Sequence, residues 1–360
     1  MSVEILNVSK SFGDTHAVQD VSLTIEQGEI FALLGGSGCG KTTLLRMLAG
    51  FESPDSGDVR INGESILALP PFHRHVNMMF QSYALFPHMT VEKNIAFGPA
   101  QDGLSKQEIA ERVDEVLELV QMERYRKRKP AQLSGGQQQR IALARSLAKK
   151  PSLLLLDEPM AALDKKLRMR MQLELVSIVE QVGVTCIIVT HDQEEAMTMS
   201  NRIAIMDAGR IRQVGTPQEI YEYPNSRMTA EFVGSINLLP ATVTACAEST
   251  TLQLKDAAST VVCRDTRARE GEAYLVAIRP EKVALSTEDE AAGPNCLRGV
   301  IDDIAYLGSH SVVHVRLENG KIMQAHMSNV SRDARTQIDF EQPVTLSWEP
   351  ESVLLISEDD

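Results

Sequence analysis

An apolar run, Ile30–Leu34, breaks into Gly35-Gly36-Ser37-Gly38-Cys39-Gly40-Lys41-Thr42-Thr43, and Leu44, Leu45, Leu48 and Ala49 then follow at helical spacing. The middle segment is a full match to G-x-x-x-x-G-K-[ST]. Strand, glycine loop and helix in direct succession admit few folds. The strand belongs in a buried parallel sheet, and the helix starts where that strand ends. The loop must curl so that several N–H groups converge on one anion, and side chains at positions 35, 38 and 40 would block the approach. A helix beginning near Lys41 adds its positive end to the same spot. Lys41 brings a compact charge for the β- and γ-phosphates of a nucleoside triphosphate, and Thr42 a hydroxyl ligand for Mg²⁺. Cys39 needs only to be small.

Downstream, four leucines (residues 153–156) lead into Asp157-Glu158, and a second buried strand (residues 186–189) leads into Thr190-His191-Asp192. Adjacent carboxylates repel each other unless a cation is supplied. Asp157 is therefore assigned to the Mg²⁺ sphere, through water, and Glu158 to orienting and polarising the attacking water. His191 can donate a hydrogen bond to the γ-phosphate, and its alternative is a satisfied structural histidine. Gln81 offers an amide oxygen to Mg²⁺ and stands just before a helical insertion that it can move. Within that insertion, over 105–129, Ser105 and Glu108 have capping-box spacing, and Ile109, Val113, Val116, Leu117 and Val120 repeat at three and four. The basic cluster Arg124, Arg126, Lys127, Arg128 and Lys129 reads as a solvated helix end, with contact to lipid headgroups or to a partner's acidic loop as the alternative.

Ser134-Gly135-Gly136-Gln137 opens a helix running through Ile141, Leu143, Ala144 and Leu147. Free N–H groups, bare glycines and a hydroxyl make a second anion site there. A single chain has no second triphosphate to fill it. The economical reading is that it binds the γ-phosphate held by another protomer, with two nucleotides sandwiched between antiparallel copies.

At 360 residues the chain is long enough for two domains. Strands alternating with helices predict a parallel α/β sheet with its active groups at the carboxyl ends of the strands. After residue 237 the pattern changes to short strands at 275–278, 312–317, 344–348 and 353–356. Asn319-Gly320 signals a hairpin between 312–317 and 321–325, and the whole tail reads as a small β-barrel, with 288–292 as a loop. Net charge is −13, and residues 238–360 carry −9 of it, with 11 Lys and Arg against 20 Asp and Glu. Residues 1–237 carry 25 against 29. Without a basic excess, non-specific nucleic-acid binding is a poor reading. Cys39, Cys186, Cys246, Cys263 and Cys296 are scattered without metal or disulfide spacing. No apolar stretch reaches the ~18–20 residues of a membrane span, and the start has no signal-peptide pattern, which predicts a cytoplasmic protein.

Over residues 3–237 these motifs resemble the ATP-binding cassette family, specifically the ATPase subunits of bacterial importers. The resemblance implies an α/β P-loop NTPase over 1–237 with a helical subdomain at about 82–150, followed over 238–360 by an all-β, oligonucleotide-binding-like regulatory (TOBE) domain. It implies ATP and Mg²⁺ as cofactors, ATP hydrolysis coupled to transport, and a homodimer beneath two permease subunits at the cytoplasmic face of the inner membrane. A periplasmic substrate-binding protein would be an indirect partner, and nucleic acid none. The resemblance makes Phe12 the ring that stacks on adenine, where Tyr or Trp is frequent, with Val18 beside it. It makes Gln81 the Q-loop, Ser134, Gly135, Gly136 and Gln137 the signature, Asp164 the D-loop and His191 the switch histidine. Residues 82–91, with Tyr83, Phe86 and His88, are similar to the surface that receives a permease's coupling helix.

The stretches 77–91, 215–221 and 230–234 are typical of the polyamine, iron and sugar importer group, and Ile278-Arg279-Pro280-Glu281 looks like that group's regulatory domain. Residues 160–166 and 171–174 are most similar to putrescine importer ATPases, with Ala161 where glycine is expected. Polyamine is the implied cargo. Fe³⁺, 2-aminoethylphosphonate or a sugar are alternatives, and a soluble cassette protein acting on ribosomes or DNA is the reading from a different class.

Overall fold

The computed structural model describes residues 2–161, 163–257, 259–265, 268–287, 293–330 and 338–357, so the expected loop at 288–292 lies outside the described residues. The chain divides into two compact units, Met1–Ile220 and Tyr221–Asp360.

The first unit opens with β1 (Val3–Phe12) and β2 (Thr15–Ile25), then β3 (Ile30–Leu34), α1 (Lys41–Ala49), β4 (Ser56–Ile61), β5 (Glu64–Ser65) and β6 (Val76–Met79). The insertion supplies α2 (Val91–Gln101), α3 (Lys106–Leu119) and α4 (Gly135–Leu147). The chain then returns through β7 (Leu153–Asp157), α5 (Lys165–Val182), β8 (Thr185–Thr190), α6 (Gln193–Met199), β9 (Arg202–Asp207), β10 (Arg210–Gly215) and α7 (Pro217–Glu222). An antiparallel sheet has the order β2-β1-β4-β5, and a six-stranded sheet the order β10-β9-β3-β8-β7-β6. In the larger sheet β9, β3, β8, β7 and β6 run parallel, and β10 pairs antiparallel at the edge.

Side chains alternate across a strand, and this sheet is buried on both faces. Phe31, Leu33, Leu153, Leu155, Ile187 and Val189 join Leu44, Leu45 and Leu48 of α1 in one core with the antiparallel sheet. Ile30, Leu154, Leu156, Cys186 and Ile188 face the other way, onto Ile141, Leu143 and Leu147 of α4 with α3 and α5. Helices α1 and α4 therefore pack on opposite faces of the sheet. The four neighbouring strands β3, β8, β7 and β6 end, in that order, at the glycine loop, His191, Asp157-Glu158 and the segment of Gln81.

The periodicity that ends at Val120 matches α3, whose C-cap is Val120, and the basic cluster lies beyond that helix. Ser105 and Glu108 form the capping box of α3, the helix stops at Leu119, and Gln121 takes φ +56°. The basic cluster falls on a separate 3₁₀ turn, Glu123–Tyr125, capped by Arg126, and on the residues that follow it. Arg124 and Arg128 stack on the ring of Tyr125, 4.8 and 4.9 Å from its centroid, and Arg126 pairs with Asp114.

The second unit begins with α8 (Arg227–Phe232) and continues in strands: β11 (Asn237–Cys246), β12 (Thr250–Leu254), β13 (Thr260–Cys263), β14 (Ala273–Ile278), β15 (Ala284–Ser286), β16 (Cys296–Tyr306), β17 (His310–Leu317), β18 (Ile322–Ser328), β19 (Pro343–Ser347) and β20 (Leu354–Ser357). Two five-stranded antiparallel sheets, β13-β12-β11-β14-β20 and β15-β19-β16-β17-β18, share one apolar core that includes Trp348. The expected hairpin joins β17 to β18. Leu317 and Lys321 close it, so the loop has three residues, and Gly320 takes the left-handed position at φ +81°.

Candidate nucleotide-hydrolysis site

The glycines of the loop divide into two kinds. At Gly40, with φ +104°, a Cβ would lie 2.1 Å from the Ala17 carbonyl oxygen, and at Gly35 it would lie 2.2 Å from that of Met206. A Cβ at Gly36 or Gly38 would meet nothing within 4 Å. Positions 35 and 40 are thus closed to side chains by the protein's own backbone, and not by an approaching anion as the motif alone suggested. Lys41, only 6% exposed, donates from Nζ to the carbonyls of Gly35 and Gly36, each at 2.8 Å, so its charge is fixed within the loop. Cys39 is buried with its sulfur 3.5 Å from Lys41 Nζ, and Thr43 lies half-buried one turn into α1.

Two of the predicted residues, Gln81 and His191, converge on Glu158. Its Oε2 accepts from Gln81 Nε2 at 2.7 Å, and its Oε1 lies 2.9 Å from His191 Nδ1. The backbone there is held in the left-handed region, φ +45°, while the Glu158 N–H donates to the Val189 carbonyl at 2.9 Å. That strained turn carries the carboxylate across to the strand bearing His191. Burial pushes the Asp157 carboxyl above its ordinary range, and the neighbouring Glu158 pushes it further; Arg46, Lys41 and a hydrogen bond from Thr42 act against this. The hydroxyl of Thr42, the carboxylate of Asp157 and the amide oxygen of Gln81 are hard oxygen donors beside the adjacent acids Asp157 and Glu158. This donor set fits Mg²⁺.

Ser134 caps α4 in a reciprocal box: its Oγ accepts from the Gln137 N–H at 3.4 Å, and Gln137 Oε1 accepts from the Ser134 N–H at 2.9 Å. Ser134 is exposed at a helix N-terminus, on the far face of the sheet from α1. A Cβ on Gly136 would lie 3.3 Å from Leu167, just beyond Asp164, whose Oδ1 caps α5 by accepting from the Leu167 N–H at 3.0 Å. Phe12, 49% exposed at the end of β1, has Lys10 Nζ 5.3 Å from its ring centroid, whereas Val18 is buried in the core. Of that pair, only Phe12 presents a surface.

Several supporting residues escaped the sequence reading. Asn94, fully buried on α2, accepts from the Phe86 N–H at 2.8 Å and donates to the carbonyls of Phe86 and Thr90 at 3.2 and 3.1 Å. Arg145 of α4 donates to the carbonyls of Ala84 and Tyr83 at 2.8 and 3.0 Å. Tyr83 and Ala84 both have positive φ, 61° and 44°, so these bonds clamp a strained segment directly after Gln81. An asparagine beside Val91 and Ile95, on the buried side of α2, was the signal available in the sequence.

The pattern of the ABC transporter family matches residues 18–161, and that of the TOBE domain matches 276–356. The putrescine transport ATP-binding protein of Escherichia coli is 55% identical, over 99% of this chain and 95% of its own length. A spermidine/putrescine import ATP-binding protein of Pseudomonas fluorescens is 46% identical over 99% of this chain and 98% of its own. Among solved structures, a dimeric ATP-binding cassette in a post-hydrolysis state with ADP and phosphate is 31% identical with a TM-score of 0.53, covering 60% of this chain and 98% of that one. With the P-loop, the Glu158 cluster and the all-β tail in place, the chain belongs to the ATP-binding cassette family, as a transporter's ATP-hydrolysing subunit that carries a TOBE domain.

Proposed function

We propose that this subunit powers a bacterial importer of putrescine or a closely related polyamine, working as a homodimer against two permease subunits at the cytoplasmic face of the inner membrane. The cargo reading rests on the relatives, whose names specify putrescine and spermidine. The dimer reading rests on the cassette dimer among its structural neighbours and on the separation of α1 from α4. Among the described residues no helix is long and apolar enough to cross a membrane, and in this reading the permease subunits span it. A Glu158 carboxylate shared between Gln81 and His191 is the observation that carries the hydrolytic reading.

In that reading the glycine loop and Lys41 bind the phosphates of ATP, and Phe12 holds the base. Thr42, Asp157 and Gln81 would hold Mg²⁺, which supplies positive charge to the phosphate oxygens. Glu158 orients the attacking water and accepts its hydrogen bond, and His191 donates to the γ-phosphate. Ser134 and the following N–H groups complete the partner's pocket, and Asp164 lies at the seam between copies. Hydrolysis releases ADP and phosphate. Because Gln81 is followed at once by the clamped 83–90 segment, its movement reaches the face offered to the permease.

The test is Glu158→Gln in proteoliposomes containing the permease subunits and labelled putrescine. ATP turnover and putrescine uptake should both fall at least about a hundredfold while ATP still binds. Near-normal turnover removes Glu158 from its role, and normal turnover of the parent protein without putrescine uptake removes the cargo.

A further inference from the structure

Behind His191 lies a buried acid that the hydrolytic reading leaves unused. Glu195, on the first turn of α6, is 3% exposed and accepts from Thr190 Oγ1 at 2.7 Å. The same hydroxyl oxygen accepts from the Asp192 N–H at 3.0 Å, and Asp192 Oδ1 accepts from the Glu195 N–H at 3.2 Å, so acid and histidine turn form one knot. Arg168 enters it from α5. Its Nη1 donates to Asp192 Oδ2 at 2.9 Å and its Nη2 to the Leu163 carbonyl at 3.2 Å, the residue before Asp164. The fourth side is Tyr83, 4% exposed, whose hydroxyl is 3.5 Å from the Pro159 carbonyl and whose ionisation is opposed by burial and then by the charge of Glu195. One buried carboxylate is thus bordered by the segments that follow Gln81, Glu158 and Asp164 and by the turn that carries His191.

The knot is incomplete at one point. Arg168 Nε is buried and has no hydrogen-bond partner among the described residues, and Glu195 Oε1 is 3.9 Å away. A buried N–H facing a carboxylate about an ångström beyond bonding distance is unfavourable, and a small displacement of α5 against α6 would remove the defect.

We propose that Glu195 is a positioning residue for hydrolysis: its bond to Arg168 closes when nucleotide engages His191, and so locks the Asp164 segment to the histidine turn. This deepens the hydrolytic reading above and rests on it. The electrostatics agree in direction. Burial raises the Glu195 carboxyl, the Thr190 hydrogen bond and Arg168 favour its charged form, and Asp192 opposes it. A closed Arg168 bond would favour the anion further.

The experiment uses the full-length chain with its permease subunits, as Glu195→Gln, Arg168→Gln and the double variant, with Glu158→Gln in parallel. Glu195→Gln keeps the shape and the Thr190 bond but removes the charge. The expected result is kcat lowered about tenfold in each single variant, unchanged KM and Kd for ATP, and a double variant no slower than the slower single one. A folded single variant with kcat within about twofold of the parent, a loss that appears in KM, or additive losses in the double variant overturn the proposal. Arg168 is partly exposed, so Arg168→Gln decides the question alone if Glu195→Gln does not fold. Normal turnover in Glu158→Gln would instead mark failure of the parent reading.

Discussion

Gly36 and Gly40 lie in the same loop, but the motif fixes only Gly40 as glycine, and their surroundings agree. A methyl group at Gly40 must displace the Ala17 carbonyl and hold a non-glycine residue at φ +104°. The positive φ alone costs about 1–2 kcal/mol. Gly40→Ala should therefore lower the unfolding midpoint and abolish measurable ATP binding. Gly36→Ala, whose methyl group points into open space at a position the motif leaves variable, should leave the unfolding midpoint and ATP binding almost unchanged. Differential scanning fluorimetry beside calorimetric titration with ATP separates the two. Equal thermal losses would show that the clash at Ala17 relaxes easily. Lys41 illustrates the same dependence on context. The sequence assigns it to phosphate, and the fold adds that its ammonium already sits on two loop carbonyls.

At the level of single elements, α3 stands on its Ser105–Glu108 box. Hydrogen bonds from the Ser105 side chain and backbone hold the Glu108 carboxyl below its ordinary range, against a small opposing effect of burial. A carboxylate whose folded pKa is depressed contributes stability above its unfolded pKa and loses it as pH falls through the folded value. Ser105→Ala should cost about 1 kcal/mol in urea unfolding at neutral pH. The stability gap between the parent and Glu108→Ala should narrow steadily on acidification below the usual carboxylate range. A gap independent of pH would mean that the box does not depend on charge.

What the sequence made legible follows from how local each signal is. The glycine loop, the strand ends carrying Asp157 and His191, and the capping spacing at Ser105 are encoded within a few residues, and all appear where they were expected. The break between α3 and the basic cluster was hidden, because the positive φ at Gln121 leaves no mark on the periodicity and Tyr125 holds two arginines that otherwise read as the end of a solvated helix. Asn94, Arg145 and Arg168 were missed for a related reason. Their partners are carbonyls and carboxylates on other segments, and no periodicity records them.

For the whole molecule, the proposed sharing of pockets has a stringent consequence. A Lys41→Ala copy keeps an intact Ser134 edge, and a Ser134→Arg copy keeps an intact phosphate loop. Neither should hydrolyse ATP alone, but an equal mixture should recover turnover, because each mixed pair contains one complete pocket. The specific rate of the parent protein should also fall on dilution below its dimer affinity. A mixture as silent as its components, or a rate indifferent to concentration, would contradict the sharing.

The placement of α1 and α4 on opposite faces of one sheet gives this arrangement a genetic meaning as well. Under the proposed sharing, a copy defective at one edge still offers its other, intact edge to any copy with which it pairs. An allele defective at Lys41 should therefore be complemented by one defective at Ser134 in a cell that carries both genes. Alleles that prevent the cassette from folding should complement neither, since an unfolded copy captures no mate.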